Sequence, residues 1–371
     1  MGKQVKTPRF YVDMPTFLHA TGDLRWDAEL LYMNPSNPQT QYYQEGGSFT
    51  PFGIGDVEES PKTSFPINFV ALLNHNLGSN LNDFRVVGKH GLTEITDPDI
   101  FPSETGQILN ANNDSEHFLP QYNGTTIFKF TSDDEYWRSF GIFYDGDNPI
   151  DTGTHQLGSF VVGKYWDAPN SPDLSLTMSR RFDGIKKQKT IGGKTLANIY
   201  YDGPTEWTMN NPHEENPYKY PPFELDLASS IYVEEEGDIE TKFNQIAKSG
   251  LGRKGLRSWN LTFSYISESD MWTDYESSNT SPFDDSGYNA EIDGDAPIDP
   301  SQRSNPMLSD DSFNFVWNCT LGGTLPFIFQ PDNTNNNPDQ FSICTFRDNT
   351  LSVKQVAFNT YSLSITIDEV A

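Results

Sequence analysis

A chain of 371 residues with 35 % apolar and 13 % aromatic residues is long enough for two or three cores and too rich in rings to be disordered. Its 52 acids against 25 bases give a formal net charge of −27, which repels phosphate backbones and argues against nucleic-acid binding. No apolar run approaches the roughly 18 residues of a spanning helix and none follows Met1, so neither membrane insertion nor a signal peptide is expected.

The 26 Phe and 17 Tyr, with 28 Gly and 25 Pro, suit many short strands faced by rings and punctuated by turns. Residues 1–62 read as an extended amino-terminal arm. One short strand fits within 8–15, and turn formers such as Asn34-Pro-Ser-Asn-Pro38 and Gly46-Gly47 leave no room for a core. Over 63–172 the texture changes to apolar runs at 67–73, 84–87, 126–130, 140–144 and 160–162, split by Asn, Asp and Gly. That spacing predicts a β-sandwich or jelly roll. The stretch between Gly88 and Gly124, holding Pro98, Pro102 and Pro120, is predicted to be loop.

A further unit spans 173–371. Residues 174–178, 259–265 and 361–367 alternate apolar and small polar side chains, the period-two pattern of a sheet with one wet face. One helix is signalled: Ser309 as N-cap, Asp310 and Asp311 in the first turn, and Phe313, Val316, Trp317 and Leu321 on a shared face. Gly322-Gly323 ends it, and a strand restarts at 325–329. A second helix is read over 241–247. Insertions at about 203–230 and 268–306, rich in Pro, Asn, Ser and Asp, are expected to be contact-making surface loops. The fold class is therefore all-β, with one sandwich or jelly-roll domain followed by a barrel or sandwich domain carrying one short helix.

A search for catalytic motifs returns none. There is no Gly-x-Ser-x-Gly elbow, His-Glu-x-x-His, phosphate loop or dinucleotide fingerprint, and Gly250-Leu-Gly252 reads as a turn. The expectation is a protein that is not an enzyme, with no catalytic residue and no cofactor; a polysaccharide-degrading enzyme is the least favoured reading. His19, His75, His90, His117, His155 and His213 are dispersed, and only His75 sits among polar neighbours at a strand end. Calcium is the ion most compatible with the loops, at Asp145 to Asp151 and at Asp284-Asp-Ser-Gly with Asp293-Gly-Asp295, where plain Asx turns are the competing reading. Cys319 and Cys344 read as small core residues, with a single bridge as the alternative. Trp26, Trp137, Trp166, Trp207 and Trp272 lie near loops, where exposed rings suit sugar binding, subunit anchoring or packing. One basic cluster stands out: Arg180, Arg181, Lys186, Lys187, Lys189 and Lys194, read as a solvated strand pair or an interface patch.

Several segments together resemble structural proteins of tailed bacteriophages, marine ones in particular. They are Thr7-Pro-Arg-Phe-Tyr-Val-Asp13, Leu73-Asn-His-Asn-Leu77, Leu157-Gly-Ser-Phe-Val-Val-Gly163, the run from Arg253 to Tyr265, Leu325-Pro-Phe-Ile-Phe-Gln-Pro-Asp332 and the closing strand from Tyr361 to Glu369. The resemblance implies a galactose-binding-like jelly roll at 63–172 and a barrel-like assembly domain of distal-tail type at 173–371. It implies a virion tail protein, made in the host bacterial cytoplasm, that forms a ring of its own copies, six being the number to test. Neighbouring tail proteins would be its partners, and a host-surface glycan its ligand if it doubles as a receptor-binding module.

Overall fold

The computed structural model describes residues 5–21, 42–45, 49–53, 65–66, 68–75, 84–89, 105–109, 111–114, 117–120, 124–130, 136–137, 139–144, 154–157, 159–182, 185–199, 255–273 and 311–370. They form an all-β protein in which every strand pair is antiparallel. The strands that build its two largest sheets are, in chain order, β1 (Arg9–Val12), β2 (Phe69–His75), β3 (Thr105–Leu109), β4 (Gly124–Phe130), β5 (Ser159–Gly163) and β6 (Tyr165–Asp167). They continue as β7 (Thr177–Arg181), β8 (Leu256–Ser267), β9 (Phe327–Gln330), β10 (Ser342–Phe346), β11 (Val353–Ala357) and β12 (Thr360–Glu369). The larger sheet has the order β6-β1-β9-β10-β12-β8-β7, with β11 also paired to β12; the smaller runs β5-β2-β4-β3.

The two sheets meet edge to edge along residues 159–167. On one side of that chain the Val12 amide donates to the Lys164 carbonyl at 3.1 Å. On the other, the Asn68 amide donates to the Gly163 carbonyl at 3.0 Å, and the Tyr165 amide donates to Asn68 Oδ1 at 2.8 Å. Successive peptide groups of an extended chain point in opposite directions, so this strand carries one sheet on each flank. A Cβ placed on Gly163 would lie 2.0 Å from the Val12 carbonyl oxygen and 3.2 Å from Met14 Cγ. Gly163→Ala therefore forces the seam apart and is expected to cost about 1–3 kcal/mol or more, read as a lowered denaturant midpoint.

Strand β1 is central rather than peripheral. It pairs with β6 through Arg9↔Asp167 and with β9 through Arg9↔Gln330 to Val12↔Phe327. Its side chains alternate between two cores. Phe10 and Val12 join a large cluster with Val70, Leu72, Phe160, Trp259 and Ile365; Tyr11 joins a second with Phe69, Ala71, Val161, Ile328 and Ile343. The Arg9 guanidinium makes two 2.7 Å bonds to Asp167 and lies 4.1 Å from the centre of the Tyr165 ring. Although burial opposes its charge, those contacts hold Arg9 more firmly protonated than usual. The Tyr11 hydroxyl, buried and so raised in pKa, donates to Gln330 Oε1 at 2.7 Å.

Sequence pattern and structure differ at several places. The short strand within 8–15 ends at Val12. There Asp13 accepts from the Thr16 hydroxyl, Pro15 suits a first helical turn, and α1 (Met14–Thr21) begins. Strands Tyr42–Glu45 and Phe49–Gly53 also occur within residues predicted to be irregular arm. The predicted loop between Gly88 and Gly124 contains β3 and the paired strands Ala111–Asp114 and His117–Pro120, because a proline at a strand end costs no ladder bond. The strand expected at 174–178 starts at Thr177, leaving Leu174 exposed and β7 exposed throughout.

Strands β8 and β12 follow the predicted alternation: Trp259, Leu261 and Phe263 face inward, as do Leu363, Ile365 and Ile367. A register shift between Phe263 and Ile266 then turns Tyr265 out to 73 % exposure and returns Ile266 to the core. The predicted helix is present but shorter, as α3 (Phe313–Cys319), with extended Ser312 before it; Ser309 and Asp310 lie outside the described residues. Leu321 is exposed at a positive φ, so it does not share the buried face. Gly323 (φ 85°) abuts Phe346, whose Cβ would be 2.5 Å from a Cβ there, so the stop is glycine-specific. Cys319 and Cys344 are unpaired and buried, and burial pushes both thiols up, which keeps them unreactive. The helix read at 241–247 lies outside the described residues, and no described helix is long and apolar enough to cross a membrane.

Candidate functional site

Two surface features stand out. The first is the basic cluster. Strands Ile185–Lys189 and Thr195–Ile199 pair in register from Ile185↔Ile199 to Lys189↔Thr195. The turn closes through Thr190, whose amide donates to the Lys194 carbonyl at 2.8 Å and whose hydroxyl oxygen accepts from the Lys194 amide at 3.1 Å; Gly193 takes φ 79°. Residues 186–197 are all exposed. Ile191, at the turn, is 110 % exposed and Leu196 58 %.

This hairpin holds Lys186, Lys187, Lys189 and Lys194 and no acid, within a chain of net charge −27. By strand alternation Lys186 lies on one face of the ribbon and Lys187 and Lys189 on the other. Cross-strand neighbours are Asn198, Ala197 and Thr195, so no carboxylate neutralises them within the ribbon. Just before it, β7 forms the last strand of the large sheet and carries Arg180 and Arg181 beside exposed Met178. A two-stranded ribbon without a packed face is marginal in water, and an edge strand offers unpaired peptide groups.

The second feature is a cleft of about 720 Å³ where β8 ends and β12 begins, lined by Ser267, Glu268, Ser269, Trp272, Asn359 and Tyr361. The one-turn α2 (Glu268–Met271) is capped by Ser267, whose hydroxyl oxygen accepts from the Asp270 amide at 3.2 Å. The Trp272 amide donates to the Glu268 carbonyl at 2.8 Å, and the Glu268 amide to the Asn359 carbonyl at 3.1 Å. Asn359 sits at φ 52° in the β11–β12 turn, a conformation asparagine tolerates. The Trp272 and Tyr361 rings meet edge to face, centroids 6.1 Å apart and planes at 84°.

The tryptophans singled out from sequence separate. Trp272 lines the cleft, half-buried. Trp166 is 4 % exposed, packs against Phe10 and Phe313, and donates through Nε1 to the Asp311 carbonyl at 3.2 Å, so its role is packing. Trp137 lies in the two-residue strand Tyr136–Trp137, opposite Phe65. Trp26 and Trp207 lie outside the described residues, as do the loops at 145–151, 284–287 and 293–295 considered for calcium. Among the described residues no three His, Cys, Asp or Glu side chains gather to hold a metal. Sequence reasoning missed Glu268, Asn359 and Tyr361, because Ile266 and Tyr361 pair across a separation that no local pattern reports. No family model, curated protein or solved structure matches the chain.

Proposed function

We propose that the chain is a structural, non-enzymatic component of a tailed-bacteriophage virion, a tail or tail-tip protein that assembles with its own copies and docks neighbouring tail proteins. The observation that carries this reading is the exposed lysine hairpin, which follows in sequence β7, the last strand of the large sheet among the described residues, on a strongly acidic chain. Like-charged copies repel one another unless a patch of opposite sign meets an acidic face, and that patch also fixes the register of docking. Such contacts are heterologous, so repetition closes a ring when the rotation permits. The resemblance of six segments to phage tail proteins supplies the virion setting; residues 63–172 then form the jelly-roll module and 173–371 the assembly domain.

Light scattering and negative-stain microscopy on the purified full chain test this. At low ionic strength the expected mass is a multiple of the chain mass, with ring-shaped particles, and it falls as salt screens the lysines. A monomer at every salt and protein concentration contradicts the proposal.

A further inference from the structure

In the Trp272 cleft, polar groups on four side chains have no partner among the described residues. Neither the Glu268 carboxylate, the Asn359 side-chain amide, Trp272 Nε1 nor the Tyr361 hydroxyl is engaged in a hydrogen bond or ion pair among the described residues. Both rings lean on the large core, so they are held in place, and their edge-to-face packing leaves ring surface turned to the cleft. Main-chain bonds link Trp272, Glu268 and Asn359, so the backbone that carries these side chains is held around the cleft. The lining thus combines two aromatic rings with one carboxylate, one amide and two N–H or O–H groups.

We propose that this cleft binds a neutral saccharide, one pyranose ring stacking on Trp272 and its hydroxyls exchanging hydrogen bonds with Glu268 and Asn359. A sugar ring presents an apolar C–H face and a belt of groups that both donate and accept, which matches a ring flanked by an acceptor, an amide and donors. The volume lies within the range of small-ligand sites, enough for one or two sugar units. Glu268 and the net charge of −27 disfavour phosphorylated or acidic sugars. A cation would use the carboxylate and the ring face but leave the Asn359 amide and both donors idle. This site is separate from the lysine hairpin and does not depend on the assembly reading.

Saturation-transfer NMR on the full chain tests it, with glucose, galactose, N-acetylglucosamine and cellobiose as probes and choline as a cationic control. The expected result is transfer to the ring C–H protons of at least one sugar with a millimolar dissociation constant. Trp272→Ala is expected to weaken it about tenfold or more by removing the stacking surface. Asn359→Gly keeps the left-handed turn, removes only the amide, and is expected to weaken it about fivefold. If Trp272→Ala fails to fold, Asn359→Gly still decides. Transfer to choline alone, transfer to no probe, or sugar binding unchanged in the variants overturns the proposal. A monomer that binds sugar would leave it standing while sinking the assembly reading.

Discussion

Replacing Phe10 with alanine is expected to lower the unfolding free energy by about 3–5 kcal/mol, a large share of what a domain of ordinary stability has. Phe10 is fully buried, and its ring centroid lies 5.2–6.2 Å from those of Trp166, Phe313, Phe327, Phe329 and Phe346. Those rings come from β6, α3, β9 and β10, so one side chain ties the amino terminus to four later elements of the chain. Truncation opens a cavity that rigid strands on both sides of β1 cannot close, since β1 is held by ladders to β6 and β9. Tryptophan fluorescence during urea unfolding measures the loss, because Trp166 and Trp259 belong to the same cluster. An arm laid on a finished domain would lose less than about 1 kcal/mol, the usual cost of a change away from a core.

A comparable loss is expected for Glu369→Ala. Glu369 is 3 % exposed and receives three contacts from the Arg257 guanidinium, at 2.7, 3.1 and 3.3 Å, besides the Arg257 amide at 2.8 Å. Arg257 also donates to the Asp339 and Phe341 carbonyls, each at 2.7 Å, and sits 5.2 Å from the Trp259 ring. It thereby joins β8, the β9–β10 connection and the end of β12. Burial works against the guanidinium charge, and the bonds it donates to Glu369 keep it protonated. Removing the carboxylate leaves that charge buried and uncompensated, at about 3–5 kcal/mol. Glu369→Gln keeps an acceptor and should lose clearly less. Equal losses in the two variants would mean that packing, not charge pairing, sets the cost.

How much of this was legible in the sequence depended on whether the information was local. Strands β8 and β12 were readable because each has one wet face, which imprints period two: Asn260 and Ser364 are exposed between buried neighbours. The existence of α3 was readable from its apolar face and the glycines after it. Its start was placed at Ser309, since Ser-Asp-Asp imitates a cap, while Ser312 directly precedes Phe313. The central position of β1 was hidden. Strands buried on both faces carry no alternation, and the turn formers that follow set the segment within an extended arm. The exposed turn of Tyr265 depends on a bulge, whose register only the partner strand defines.

The same distinction holds for the two surfaces. The basic cluster could be found from composition alone, because one short segment holds its four lysines, and the strand pair that presents them was one of the two readings considered. The cleft could not, since Trp272 gains its partners only when β8 pairs with β12. Trp166 looked equivalent to Trp272 in sequence, yet it fills the core because β6 lies beside β1.

Sedimentation of Lys186→Glu/Lys187→Glu/Lys189→Glu alongside the wild-type chain tests the assembly role of the hairpin most directly. These side chains are exposed, so the fold should survive, with an unchanged circular dichroism spectrum and unfolding midpoint. The account predicts a wild-type oligomer at low salt and a monomeric triple variant. Identical sedimentation of the two proteins, at any oligomeric state, would contradict it.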